Sequence, residues 1–409
     1  MKIALSVADM SVGGIANFVL NLSPSLTEAG HEALVIAQRP GAWWSRLAEI
    51  GVHGYCLPRH RWDSVWQQAR RFAAYLTAQQ IDLLLVNIGI DNRLPMLALP
   101  LLPDSMPVIL ALRNDRPEVY DLAAVNQDAW NCAVGVSPKV QQHAVAHFGQ
   151  KTVLCIPNGV DAPLDDHLHV APDWSTPLRL LCVGRLDDHQ KGIFRLPAIL
   201  AACRQRQLPI RLTIIGNGPD QIQLRQLFQR AGVADLVDLH GFQPHAQVLA
   251  AMDSHHGLLL PSNYEGLPNV LLEAQAHGCV PIAARLPGIT DYVVQDGISG
   301  FLVNPPEIEG YVNRIEQLLV PECWRALRNT GMGSIRQHFS IQSMGGRYLA
   351  LFTELARGAY PRSPNHFRLR PPVCLRFGWS DYLPAPLVGR LRRFQGRFLN
   401  MAQQRQGIA

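Results

Sequence analysis

Residues 257–284 read GLLLPSNYEGLPNVLLEAQAHGCVPIAA. The opening run GLLLPS has the length and composition of a buried strand, and VPIAA at the far end has them again. Between the two, Pro268 suits the first turn of a helix and Gly278 the position just past its end, so a helix is expected from about Pro268 to His277. Strand, loop, helix and strand in so short a span form the unit of a parallel sheet, whose neighbouring strands need a crossover on one face. Glu265 then lies in the loop and Glu273 inside the helix.

The same alternation extends through most of the chain. KIALSV is the first strand candidate, followed by Ile15, Phe18, Val19, Leu22 and Leu26 at helical spacing up to about Gly30. EALVIA, IDLLLVN, PVILAL, NCAVGVS and KTVLCIP continue the series. Residues 162–177, APLDDHLHVAPDWSTP, are rich in proline and acids and read as a linker. Alternation then restarts with LRLLCVGR, RLTIIGNG, LVDLHGF, GLLLPS, VPIAA and GFLVNP. The expected fold is therefore α/β, two Rossmann-like domains facing a cleft at the carboxyl edges of their strands. The domains are expected at 1–165 and 175–345, with a crossover helix and an arginine-rich tail at 346–409.

Composition supports this. The chain has 409 residues, 48% hydrophobic and 17% charged, which suits a globular protein with more than one core. Its net charge of +5 is concentrated at one end: residues 361–409 carry nine arginines and one acid, so the rest is slightly acidic. A nucleic-acid-binding fold is not implied. In the tail, Leu387, Leu391, Phe394 and Phe398 recur at helical spacing among Arg390, Arg392, Arg393 and Arg397. This pattern fits an amphipathic helix on an anionic membrane surface, or equally a docking helix over exposed core. The eight cysteines are scattered with no CxxC pair, the usage of a reduced cytoplasmic protein. MKIALSVADMSVGG is interrupted too early by Asp9 for a signal peptide, and the apolar window 94–112 holds four prolines, so no spanning helix is expected.

The chemistry converges on strand ends. With eleven glutamates in the chain, the spacing of Glu265 and Glu273 carries little by itself. The helix start between them carries more: the N–H groups of Asn269, Val270 and Leu271 are expected to point out of the turn with the positive end of the helix dipole, an arrangement that binds phosphate. Glu273 lies within reach of ribose hydroxyls; the alternative is a first-turn glutamate stabilised by the dipole. In GRLDDHQKG (184–192), Arg185 and Lys191 emerge on the same sheet edge and suit a diphosphate, or form an ordinary basic loop. Gly216 and Gly218 in IIGNGPD (214–220) permit close approach of backbone to a ligand, or simply make the turn. Gly13 and Gly14 form a small loop without the GxGxxG dinucleotide fingerprint.

Taken together, VGG (12–14), NFVLNLSPSLTEAGHE (17–32), IPNGVD (156–161), GRLDDHQKG, IIGNGPD, PSNYEGLPNVLLEAQAHGCVPIA (261–283) and DGISGFLVNP (296–305) resemble the family 4 glycosyltransferases of the GT-B fold. The resemblance implies a retaining transfer of a hexosyl group from a nucleotide-diphosphate sugar to an acceptor hydroxyl, with no metal or other cofactor. It implies a saccharide or glycolipid acceptor of the cell envelope, and a cytoplasmic protein, peripheral to the membrane if the tail binds there. It implies that Arg185 and Lys191 neutralise the diphosphate, that Glu273 binds the ribose, and that Glu265, Gly266 and Leu267 hold the donor sugar. Asn269, Val270 and Leu271 supply amides to the phosphate, and Gly14 lies near phosphates and acceptor.

One departure stands out. Many relatives carry a histidine after the strand equivalent to PVILAL, where this chain has Arg113, Asn114 and Asp115. Either one of these takes the polar contact (Asn114 being the candidate for substrate), or donor choice differs, or catalysis is impaired. The last possibility makes a catalytically silent nucleotide-sugar-binding protein the alternative function.

Overall fold

The computed structural model describes residues 1–163 and 177–362, except Val12, Ile90, Asp91 and Val125, together with Leu383, Pro384 and Leu387. Most of the expected linker and nearly all of the basic tail, including the proposed membrane helix, lie outside the described residues.

The first domain holds strands β1 (Lys2–Val7), β2 (Glu32–Ala37), β3 (His53–Cys56), β4 (Leu83–Ile88), β5 (Val108–Leu112), β6 (Cys132–Gly135) and β7 (Val153–Cys155). All pair in parallel, in the order β3-β2-β1-β4-β5-β6-β7. The second holds β8 (Leu178–Val183), β9 (Ile210–Ile215), β10 (Val237–Gly241), β11 (Gly257–Leu260), β12 (Val280–Ala284) and β13 (Phe301–Val303). These are parallel too, in the order β10-β9-β8-β11-β12-β13. In each sheet the winding reverses, between β1 and β4 and between β8 and β11, and at such reversals the carboxyl edge opens into a crevice.

The strands are buried on both sides, as crossover helices require. Along β1, Ile3, Leu5 and Val7 pack into one apolar layer while Ala4 packs into the other, the period-two alternation of a strand. One layer includes residues of both domains, with Leu110 and Val136 of the first joined to Leu181, Leu258 and Leu271 of the second. The one strand absent from the sequence reading is β3, HGYC, a short edge strand with no buried residue in it. HGYC lacks the apolar run that marks the central strands.

The helix Pro321–His338 packs on the helix Asn269–Ala276, and the chain then crosses to the first domain. At the crossing, Val160 N–H donates to the Phe339 carbonyl (2.9 Å) and Ile341 N–H to the Val160 carbonyl (3.0 Å). A side chain at Gly159 would lie 2.6 Å from the Ser340 carbonyl, so only glycine lets these two segments meet. The helix Ile341–Ala356 completes the return against the helix Gly14–Glu28, with the Phe18 and Tyr348 rings 5.4 Å apart. Arg362 then docks on the carbonyls of Ala129 and Pro103 in the first domain.

The seven described cysteines are free. Burial pushes the thiols of Cys132, Cys182 and Cys203 up to about 12, as expected of cysteines packed as small apolar side chains. No helix among the described residues is long and apolar enough to cross a membrane.

Candidate functional site

A cleft of about 890 Å³ lies between the two domains, lined by the residues that follow the carboxyl ends of strands in both sheets. Gly13, Gly14, Asn114, Arg185, Lys191, Gly216, Glu265, Gly266, Leu267, Asn269, Val270 and Glu273 all face it. Residues scattered over some 260 positions of sequence thus meet because the two winding reversals face each other.

Two of the expected site residues do not line the cleft. A side chain at Gly218 would lie 2.1 Å from the Leu186 carbonyl, so this glycine serves the packing of one turn on its neighbour. Leu271 is fully buried in the core, and its N–H donates to the Pro268 carbonyl (3.0 Å). The helix starts at Asn269, so Asn269 and Val270 are the first-turn residues that face the cleft.

The central feature is an ion pair. Lys191 Nζ lies 2.7 Å from Glu265 Oε1, and the two side chains are only 17% and 5% exposed. Glu265 Oε1 also accepts from Ser262 Oγ at 2.8 Å. The loop carrying Lys191 is fastened to the loop carrying Glu265: Asn263 N–H donates to the Gln190 carbonyl (2.8 Å), and Asn263 Nδ2 to the carbonyls of Asp188 and His189. Arg195 adds a bond from Nη1 to the Pro261 carbonyl (2.6 Å). Lys191 is thereby aimed rather than free, as preorganised charge stabilisation requires. Arg185 is the opposite case: its side chain is 70% exposed and, among the described residues, reaches no carboxylate closer than Asp187, at 4.0 Å. It is available to close on a bound anion.

Glu273 faces the cleft from the first turns of its helix. Its Oε1 accepts from His245 Nε2 (3.0 Å) and from Asn17 Nδ2 of the first domain (3.4 Å). Both bonds fall on one oxygen, and Oε2 remains to accept from a ligand hydroxyl. His245 and Asn17 were not foreseen. Each is a lone polar residue near a strand-to-helix turn, with no spacing that distinguishes it.

The triplet after β5 splits three ways. Arg113 turns inward, where Nε donates to Asn87 Oδ1 (3.2 Å), Nη1 to Asn158 Oδ1 (2.8 Å) and Nη2 to the Tyr348 hydroxyl (3.2 Å). Its guanidinium stacks 3.3 Å from the centre of the Phe18 ring. Burial pulls its pKa below the ordinary arginine value, opposed by the Tyr348 hydroxyl. Asn158 passes the connection on, donating from Nδ2 to Asn269 Oδ1 at 2.7 Å. Asp115 turns the other way, to the Tyr120 hydroxyl and His143 Nδ1, each at 2.7 Å. Asn114 alone of the three is both exposed and in the cleft.

The two domains also meet at Gly266, where an added side chain would lie 2.2 Å from the Arg113 carbonyl. Backbone on both sides leaves no flexible group to give way. Gly266→Ala is therefore expected to lower stability by about 1–3 kcal/mol through overpacking. A denaturant midpoint equal to the wild-type value would show that the domains separate at no cost.

Residues 12–163 match the model of Glycosyltransferase Family 4, and residues 169–329 match that of Glycosyl transferases group 1. The chain belongs to the group 1 glycosyltransferases of the GT-B fold. This group 1 chain is 32% identical over 181 residues to WcaL of Escherichia coli K12, a glycosyltransferase named for colanic acid biosynthesis; the match covers 42% of this chain and 41% of WcaL. It is 32% identical over 155 residues to AmsK of Erwinia amylovora, named for amylovoran biosynthesis, covering 36% and 35%. The chain thus spans about two fifths of the length of the curated relatives it matches. Among solved structures, HepE of Anabaena with UDP and glucose superposes with a TM-score of 0.73 at 19% identity, covering 87% of this chain and all of HepE. A Rickettsia africae glycosyltransferase gives 0.73 at 15%, covering 88% and 99%.

Proposed function

We propose that this protein transfers a hexosyl group from a nucleotide-diphosphate sugar to an acceptor hydroxyl, with retention, in building a cell-envelope polysaccharide or glycolipid. The observation that carries the reading is the convergence of Lys191, Arg185 and the Asn269 helix start on one cleft, with Glu273 beside them. Breaking a sugar–phosphate bond builds negative charge on the diphosphate and positive charge on the anomeric carbon. Two cations and the N–H groups of a helix start suit the first, and a buried carboxylate, Glu265, suits the second. The positive charge they supply takes the part a metal ion would otherwise play, so no metal or other cofactor is required in the proposal. Relatives named for colanic acid, amylovoran and lipopolysaccharide core biosynthesis support the envelope setting.

The test is a thermal-shift screen against UDP-, GDP- and ADP-sugars, because a ligand that binds only the folded state raises its stability. One nucleotide series is expected to raise the melting temperature by several degrees, and no shift with any of them would defeat the reading. The alternative, a silent nucleotide-sugar-binding protein, rests on the segment Arg113 to Asp115: it lies at about the place where many relatives carry a histidine, and its arginine is turned into the core. Binding without donor hydrolysis or transfer across a panel of acceptors would favour that alternative.

A further inference from the structure

A second pocket, of about 310 Å³, opens beside the cleft in the first domain and shares Ala8 and Arg39 with it. It sits at the carboxyl edge of the β3-β2-β1 half of the sheet. Ala8 follows β1, Gln38 and Arg39 follow β2, Leu57 and Arg59 follow β3, and Gln68 comes from the helix Val65–Ala78. Its size is at the small end of ligand pockets, which run from roughly 300 to 1,000 Å³.

Its chemistry is one-sided. The lining holds two arginines and two glutamines and no carboxylate. Arg39 is already balanced by Asp9, with Nη2 2.8 Å from Oδ2. Arg59, exposed, makes no ion pair or hydrogen bond within the described residues, so the pocket's unbalanced positive charge is its own. Gln68 is 7% exposed and lines the pocket, and its side-chain amide makes no hydrogen bond among the described residues. With no protein partner, an amide that lines a pocket is left to make its hydrogen bonds with a ligand or with solvent. Gln38 is differently placed: its Nε2 donates to Asn92 Oδ1 at 2.7 Å, which leaves its oxygen to accept. Asn92 itself lines the main cleft, so the pocket and the cleft are joined by a hydrogen bond as well as by shared residues.

We infer that this pocket is an acceptor subsite for a sugar that carries a carboxylate. The inference rests on the transferase reading above and adds the chemical class of the acceptor. Arg59 offers a guanidinium fork and Gln68 an N–H to a single negative charge, Gln38 offers an acceptor to a ring hydroxyl, and Leu57 and Ala8 give the C–H face of the ring an apolar floor. One unbalanced arginine matches a monoanion better than a diphosphate, which would also meet Asp9. Just beyond Arg59, Trp62 is 60% exposed with the Arg61 guanidinium 5.9 Å from its ring centre, a surface suited to the next sugar of a chain.

The test uses the full chain and three probes, methyl β-D-glucuronide, methyl β-D-glucoside and inorganic phosphate, with binding followed by ligand-observed NMR. The glucuronide is expected to bind about tenfold or more tightly than the glucoside, the size of effect a charge-assisted hydrogen bond confers. Arg59→Met is expected to erase most of that preference, and Gln68→Leu part of it, while both variants keep the wild-type thermal shift with nucleotide sugar. Equal binding of the two glycosides, or failure of the glucuronide to bind while a nucleotide sugar does, would overturn the subsite and leave the transferase reading intact. Displacement of the glucuronide by equimolar phosphate would also overturn it, by showing an anion site indifferent to the sugar. If no nucleotide sugar shifts the melting temperature, the transferase reading fails and the acceptor role fails with it.

Discussion

Replacing Lys191 with alanine is expected to cost the protein twice. Transfer should fall by about 10²–10³ in kcat/KM, the usual loss when one preorganised charge or donor is removed from a developing anion. Stability should fall as well, by about 3–5 kcal/mol, because the variant leaves Glu265 buried at 5% exposure without its cation. Ser262 remains as a partner for the carboxylate but brings no charge. The two losses have different origins and can be separated. In the double variant Lys191→Met with Glu265→Gln, no charge is stranded, so the denaturant midpoint should return most of the way while transfer stays low. A single variant as stable as the wild type would show that the pair is not coupled to folding. Recovery of transfer in the double variant would show that the lysine charge has no part in the chemistry.

That pairing also marks how far the sequence could be read. Both domains were legible because central parallel strands are continuous apolar runs and their turns carry glycine and proline; β3 was not, because an edge strand such as HGYC has half-exposed side chains. The helix start at Asn269 was legible for the same kind of local reason, Pro268 before it and Gly278 after. What could not be read was partnership across the fold. Lys191 and Glu265 are 74 residues apart, and the sequence places them on one edge without saying that they touch. Gly218 looked like a ligand-facing glycine because a glycine in a strand-to-helix turn gives the same signal whether it faces a phosphate or the carbonyl of Leu186. His245 and Asn17 reach Glu273 from opposite domains, and no spacing within either segment announces it. Asn158 lay in plain view within IPNGVD, but its role depends on two partners, Arg113 and Asn269, on different elements.

Arg113 yields the second large effect. It is buried with no carboxylate among its hydrogen-bond partners in the described residues, held by Asn87, Asn158 and Tyr348 and stacked on Phe18. Arg113→Ala removes the donor from three acceptors and leaves a cavity beside Phe18. Each stranded acceptor costs about 1–3 kcal/mol, less than additively, and a total loss near 3–5 kcal/mol is expected. Arg113→Lys should recover little of it, since an ammonium cannot reproduce the fork that spans Asn87, Asn158 and Tyr348. A second consequence follows from the next bond in the chain. Asn158 donates to Asn269 at the start of the helix that faces the cleft, so loosening Arg113 should also weaken nucleotide-sugar binding, by about tenfold if one oriented hydrogen bond is lost. Asn158→Ala isolates this relay, because it frees Asn269 while Arg113 keeps Tyr348, Asn87 and the Phe18 ring. It should therefore reproduce the loss in donor affinity at a smaller cost in stability. If Arg113→Ala destabilises the fold but Asn158→Ala binds nucleotide sugar as the wild type does, Arg113 acts on the core alone, and the hydrogen bonds between β5 and the Asn269 helix carry no information to the site.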